Sequence, residues 1–304
     1  MAPTSILVLG AGELGGAVLR SLAKHPSRAD TRLAVLLRAS TINSKDDSKQ
    51  RTIADIKDLG IELVAGDLVE QSMPKLEEIF QPFDTVINCS GMSAPPGTQI
   101  IVATAAIASG CRKYFPWQFG IDYDTIGRNS AQSLFSEQLD VRDLLRSQSH
   151  MEWTVISTGM FTSFIFEPAF GIVSAERDSV TALGSWENSI TTTTAEDIGK
   201  IVAEVVLSHP QTNGVLFAAG DTVSMQQIAD VVDKVMRRKV QRSVKSVAQL
   251  LKELEDAPHD GMKKYRVVFA QGVGVAWDKE KTFNAQYNID TQTVEDWAKE
   301  NLKC

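Results

Sequence analysis

Short apolar runs and amphipathic stretches alternate along the first half of the chain. Residues 6–9, 33–37, 61–64, 85–87, 113–115 and 153–156 are compact runs of β-branched, leucine and aromatic side chains that read as strands. Between them, residues 13–24, 50–59, 73–80, 100–108 and 131–147 carry apolar positions at helical spacing. Regular β–α alternation means parallel strands joined by right-handed crossovers. The pattern therefore predicts an α/β fold, a Rossmann-type doubly wound parallel sheet.

The rhythm breaks after Ser157. Residues 158–188 are rich in Phe, Gly and Ser and show no clear period. A helix is predicted over 191–206, opened by the capping pattern Thr194-Ala195-Glu196-Asp197, and a strand over 215–217. Beyond Ser224 the chain reads as mostly helical and charged, with a break at 258–261. We expect a nucleotide-binding domain over 1–156, with 188–219 returning to it. Residues 157–187 and 220–304 would form a smaller, mostly helical substrate or lid domain.

Composition narrows the class. The 304 residues are 43% hydrophobic and 23% charged, which is ordinary globular composition and excludes a disordered or fibrous chain. The formal charge of −7 repels phosphate backbones, so no nucleic-acid partner is expected. No apolar run approaches the roughly 20 residues of a membrane helix, and residues 5–10 are too short for a signal sequence. Cys89, Cys111 and Cys304 fit neither a zinc spacing nor a disulfide framework. The four histidines, His25, His150, His209 and His259, are scattered without paired metal spacing. These features predict a cytoplasmic protein with reduced thiols and no metal.

Gly10-Ala11-Gly12-Glu13-Leu14-Gly15 matches G-x-G-x-x-G, and it follows the first strand and opens the first helix. In that context Gly10 makes the tight turn, Gly12 admits a pyrophosphate to the backbone, and Gly15 lets helix and strand pack closely. Glu13 and Leu14 lie in the same turn, and the alternative is a glycine-rich turn that binds nothing. The second strand ends at Arg38, with Ser40 close behind, where an NAD site wants an acidic residue. A guanidinium fork suits a 2′-phosphate, so the cofactor reading is NADP(H); the alternative is a solvated surface arginine. Asp67 and Leu68 after the third strand are placed beside the adenine, and Cys89, Ser90 and Gly91 after the fourth beside phosphate and ribose. Ordinary strand-exit turn chemistry explains these positions as well.

With these motifs in place, the chain resembles the NmrA-like and isoflavone-reductase-like branch of the atypical short-chain dehydrogenases. The resemblance runs through the glycine loop, Leu36-Leu37-Arg38, residues 58–68, Pro116-Trp117-Gln118-Phe119-Gly120, 135–142 and 155–164. The fifth-strand motif, followed by Ile121-Asp122-Tyr123-Asp124, is similar to that of fungal specialised-metabolism members. The resemblance implies NADPH as cofactor, with Gln118 and Gly159 among the cofactor contacts and residues 155–164 as the nicotinamide-facing loop. It departs at the catalytic centre. Family reductases carry a lysine on the helix after the fifth strand where this chain has Gln138. A glutamine amide cannot titrate, so Gln138 can orient a ribose hydroxyl or a substrate carbonyl but cannot move a proton; a plain helix-surface role is the alternative. Tyr123 is the remaining candidate acid among these strand-end residues, whereas Asp122 and Asp124 suit turn capping.

Met92, Trp117, Phe161, Phe164 and Trp186 are the candidate substrate contacts, with Trp117 and Phe161 on opposite sides of the nicotinamide; core packing is the alternative for each ring. The leading expectation is an NADPH-dependent oxidoreductase acting on a small-molecule substrate, a bulky aromatic or alkaloid-like intermediate. Without an acid–base lysine, hydride addition to an iminium or conjugated C=C bond, or a hydride relay coupled to cyclisation of Diels–Alder type, fits best. Ordinary enone or carbonyl reduction is a second reading, and a dinucleotide-binding redox sensor without turnover a third. The protein is expected to be a monomer or homodimer.

Overall fold

A computed structural model describes residues 4–28, 31–91 and 94–302. Twelve strands occur among them: β1 (Ser5–Leu9), β2 (Arg32–Leu37), β3 (Glu62–Ala65), β4 (Thr85–Asn88), β5 (Lys113–Phe115), β6 (Glu152–Ser157), β7 (Met160–Phe161), β8 (Ser179–Leu183), β9 (Ser189–Thr193), β10 (Gly214–Phe217), β11 (Asp221–Ser224) and β12 (Gln241–Lys245). Seven of them form one sheet in the order β3-β2-β1-β4-β5-β6-β10. The pairs among β1 to β6 are parallel. This is the doubly wound order, in which the chain starts at the middle and winds to one edge and then the other.

The central strands form because they are apolar on both faces. Leu7, Val8 and Leu9 of β1 are fully buried, as are Ala34 and Val35 of β2, which is the signature of a sheet covered by helices on each side. The covering helices are amphipathic. Glu13–Lys24 buries Leu14, Ala17, Val18 and Leu22, and Met73–Phe80 buries Leu76 and Phe80 against the core cluster around Leu7, Leu36 and Tyr114.

The chain divides into two compact units. The first comprises residues 1–118, 137–156 and 198–216, and the second 119–136, 157–197 and 217–304. Within the second unit β9 is flanked by β11, antiparallel, and β7, parallel, while β12 pairs with β8 in a separate parallel ribbon. Two sequence expectations need correction here. Residues 191–193 are strand rather than helix, because Ile190-Thr191-Thr192-Thr193 is a β-branched run that pairs on both edges. The helix begins at Ala195, where the Thr194 hydroxyl accepts from the Asp197 N–H at 3.1 Å. Residues 241–245 are likewise a strand within a stretch read as helical.

Lys113 shows how the first unit accommodates a charge. It opens β5 and is only 2% exposed. Its ammonium donates to the Pro210 carbonyl at 2.8 Å and to the Thr212 carbonyl, with the Glu152 carboxylate 4.0 Å away. Burial pushes its pKa down to about 8, partly offset by Glu152 and reinforced by Arg112. The folded pKa thus lies below the unfolded one, so between the two the unfolded chain binds more protons and stability rises with pH. The unfolding free energy of the wild type, less that of Lys113→Met, should climb by about 2 kcal/mol from pH 7.5 to 10. Urea titrations at a series of pH values measure this, and a flat difference would show that Lys113 is not desolvated.

Candidate functional site

The glycine turn joins β1 to the helix Glu13–Lys24. Gly10 adopts φ +90°, a conformation that favours glycine, and its N–H donates to the Leu36 carbonyl at 3.1 Å. Gly15 rests directly on the Gly10 carbonyl, where any Cβ would overlap it. Gly12 caps the helix with no side-chain hydrogen bond and with open space around its Cα. The first N–H groups of this helix therefore have no side-chain acceptor at the cap, and they lie at the positive end of its dipole. Glu13 is exposed and Leu14 buried. A cradle of bare backbone ending in an uncapped helix N-terminus fits a pyrophosphate.

The exit of β4 closes against this turn. The Ser90 hydroxyl donates to the Leu9 carbonyl at 3.1 Å and abuts Gly10, while the Cys89 N–H donates to the same carbonyl at 3.1 Å. The loop is braced from below: Asn88 Nδ2 donates to Gln99 Oε1 at 2.9 Å, and Gln99 Nε2 donates to the Ser90 carbonyl at 3.2 Å. Sequence reasoning missed Gln99, since nothing in its spacing separates it from any other helical polar residue.

At the end of β2, Arg38 is exposed and makes no ion pair among the described residues. It precedes the short helix Ala39–Ile42, on which Ser40 is also exposed. Asp67 is already engaged in a turn: its Oδ1 accepts from the Val69 and Glu70 N–H groups at 2.9 and 3.2 Å. Leu68 packs against the core.

Beyond β5 the Trp117 indole is half-buried and lies flat on Gly91, where any Cβ would overlap the ring. The next residue, Gln118, is 1% exposed and committed at both ends of its amide. Its Nε2 donates to the Gln138 backbone carbonyl at 2.8 Å, and its Oε1 accepts from Arg142 Nε at 2.8 Å. Arg142, on the helix Leu134–Arg146 with Gln138, is fully buried and was not legible as a site residue in the sequence. Gln138 itself is 1% exposed, so it is not a surface helix residue. Its side-chain Nε2 and Oε1 have no hydrogen-bond partner among the described residues. Glu137 fixes the same helix by accepting the Gln99 N–H at 2.8 Å.

The remaining candidates that are described lie in the second unit. Tyr123 is buried, its ring 5.0 Å from Phe135 and its hydroxyl close to Gly120. Asp122 caps its short helix, accepting from Thr125 N at 3.3 Å. Gly159 presses on the Thr191 carbonyl. Phe161 is half-buried at the end of β7, and Phe164 stands edge-on to Phe170 with ring centroids 6.3 Å apart. The Trp186 ring lies 5.8 Å from the Arg242 guanidinium of β12. Met92 falls outside the described residues. No group of three metal-ligating side chains, and no helix long and apolar enough to cross a membrane, occurs among the described residues.

Comparison with known proteins places this geometry. The model of the NmrA-like family matches residues 3–298. An NmrA-like family domain-containing oxidoreductase of Gibberella moniliformis (strain M3125 / FGSC 7600) is 44% identical over 298 residues, covering 97% of both chains. Isoflavone reductase homolog P3 of Arabidopsis thaliana is 26% identical, covering 84% of this chain and 82% of that protein. Among solved structures, AtPrR2 with NADP+ and (+)-pinoresinol superposes with a TM-score of 0.80 at 17% identity, covering 98% of each chain.

The seat of Trp117 on Gly91 is directly testable. Gly91→Ala puts a methyl into the indole, so it should displace the ring and destabilise the protein by about 1–3 kcal/mol, the usual cost of overpacking. The same substitution in a Trp117→Ala background should be nearly neutral. Urea unfolding of the four proteins of this cycle measures the coupling. Equal costs in both backgrounds would mean that the ring does not rest there.

Proposed function

Because the chain belongs to the NmrA-like family, we propose that it is an NADPH-dependent oxidoreductase of the isoflavone-reductase type. The observation that carries this reading is the Gly10–Gly15 cradle ending in an uncapped helix, with an exposed Arg38 at the end of the neighbouring strand that makes no ion pair among the described residues. The oxidoreductase name of the 44%-identical relative and the NADP+ in the AtPrR2 complex support it.

In this reading the backbone at Gly10, Gly12, Glu13, Leu14 and Gly15 holds the pyrophosphate, and Arg38 and Ser40 take the 2′-phosphate. Asp67 keeps one carboxylate oxygen in its turn and, with Leu68, borders the adenine. Cys89, Ser90 and Gly91 line the strand-end groove, and Gly159 belongs to the loop that follows β6. Bound NADPH supplies a hydride. Gln118 acts through its neighbour, holding the backbone of Gln138, while Gln138 orients and cannot exchange a proton.

The absence of a titratable group at 138 shapes the substrate. Reduction of a neutral carbonyl needs a proton for the developing alkoxide, whereas an iminium carbon needs hydride alone. We therefore assign an iminium or conjugated iminium acceptor, or a hydride relay coupled to ring closure, on a bulky aromatic substrate, with Trp117 of the first unit and, separately, Phe161 and Phe164 of the second as the candidate contacts. Tyr123 is left as the acid for an enone substrate. The same non-titrating Gln138 also favours a second reading, a sensor that binds dinucleotide and consumes none. Steady NADPH oxidation with a cyclic iminium probe supports the enzyme, and binding without turnover across iminium and enone panels supports the sensor.

Cofactor choice is tested separately. Arg38→Asp removes a charge-assisted contact and sets a carboxylate opposite the 2′-phosphate, so NADPH affinity should fall roughly tenfold or more. NADH affinity should change far less. Unchanged NADPH titration curves would reduce Arg38 to a surface residue.

A further inference from the structure

One polar side chain in the first unit is buried without a hydrogen-bond partner among the described residues. Gln138 is 1% exposed, and neither its Nε2 nor its Oε1 forms a hydrogen bond with any described residue. Two polar side chains of the network are already committed. Gln118 spends its amide on the Gln138 backbone carbonyl and on Arg142 Nε, at 2.8 Å each. Glu137 spends one carboxylate oxygen on the Gln99 N–H. An amide sealed from water with both ends unmet is costly, and native proteins keep such groups where something else is gained.

We infer that the Gln138 side chain is the receptor for a group bearing an N–H and a C=O side by side, a primary carboxamide or a lactam. The argument is complementarity. The amide presents a donor and an acceptor in one plane at fixed spacing. A hydroxyl meets the two ends one at a time, whereas a second amide meets both at once and carries no charge into a buried site. Position points the same way. Gln118 leaves β5, which stands two strands from β1 across β4. At about 4.8 Å per strand this puts the Gln118–Gln138 contact roughly 10 Å across the sheet from the Gly10 turn. That is the span by which an extended dinucleotide carries its ring carboxamide away from its pyrophosphate. The group arrives by displacing what covers the amide. It has two sources, the nicotinamide carboxamide of the cofactor or a lactam in the substrate; the first rests on the function proposed above.

The test uses the full-length protein and its Gln138→Leu and Gln138→Met variants, with three ligands: NADP+, its 3-acetylpyridine analogue and δ-valerolactam. In the analogue a methyl group replaces the carboxamide NH2. If the cofactor is the source, calorimetry should show the wild type preferring NADP+ to the analogue by about fivefold or more. In the variants that preference should fall to near unity. If the substrate is the source, saturation-transfer NMR should detect valerolactam on the wild type, with or without NADP+, and lose it in the variants. In either case the unfolding midpoint of the variants should equal or exceed that of the wild type, since two unmet polar atoms are removed. The inference is overturned if neither ligand measurement changes. It is also overturned if both variants unfold at clearly lower temperature, because the amide would then have a partner within the protein, such as a trapped water. A wild type that binds no NADP+ would sink the proposed function alone, and the lactam measurement would still decide this inference.

Discussion

The carboxyl edge of the sheet depends on how closely the first helix approaches the end of β1. Gly15 sits on the Gly10 carbonyl with no room for a Cβ, so the helix starts within backbone contact of the strand it follows. That approach leaves the Gly12 cap bare and puts the uncapped N–H groups at the mouth of the turn. The next strand then closes on the same point. Ser90 abuts Gly10 and bonds the Leu9 carbonyl, and one residue later Gly91 carries the Trp117 indole. A run of three close approaches, each requiring the absence of a side chain, fixes β1, β4 and β5 relative to one another at their ends. Glycine raises the entropic cost of folding, so its repeated use here marks positions where the backbone must be bare.

Polar burial follows two different logics within the same unit. Lys113 is satisfied by carbonyls, and Asn88, Gln99 and the Ser90 carbonyl form a closed set in which each amide has found a partner. Such networks stiffen what they join, because losing one member leaves the others buried and unmet. Gln118, Arg142 and Gln138 are built alike but stop one member short. The surface pairs are a different matter. Arg32 and Glu62 make a well-aligned pair at 2.8 Å that holds the guanidinium pKa up and the carboxyl pKa down, yet both side chains are more than two-fifths exposed and screened by water. The architecture rests on the buried groups.

What the sequence made legible is what local pattern controls. Period and run length located the strands of the large sheet, and the bounds 13–24 and 73–80 match the helices residue for residue. The glycine turn was readable because each of its glycines answers to a backbone requirement. Tertiary placement was not readable. The run Thr191–Thr193 precedes a helix cap and shares its threonines, so only pairing with β7 and β11 reveals it as strand. Arg142 carries the residue type most often exposed, and its burial follows from Gln118, 24 positions away in sequence. Trp186 was grouped with the substrate aromatics, but the residue over its ring, Arg242, comes from a strand that the charge pattern disguised as helix. Asp67 illustrates the converse, where the alternative reading of a strand-exit turn describes the bonds it makes.

The identity of residue 138 can be weighed against Lys113. Burying the Lys113 ammonium takes two backbone carbonyls and a nearby carboxylate, and even so its pKa drops to about 8. One helical turn on from Gln138 stands a fully buried guanidinium, and the adjoining Gln118 turns its acceptor towards that guanidinium and its donor towards the backbone of 138. An ammonium buried at 138 would carry a desolvation penalty of the kind that lowers the Lys113 pKa, and the neighbouring amide oxygen is already taken. A neutral amide avoids that penalty. It gives up proton transfer and keeps direction, since a planar group with one donor end and one acceptor end selects partners by shape rather than by charge. The buried arginine and the glutamine are thus joined through one amide, Gln118, which accepts from the first and donates to the backbone of the second.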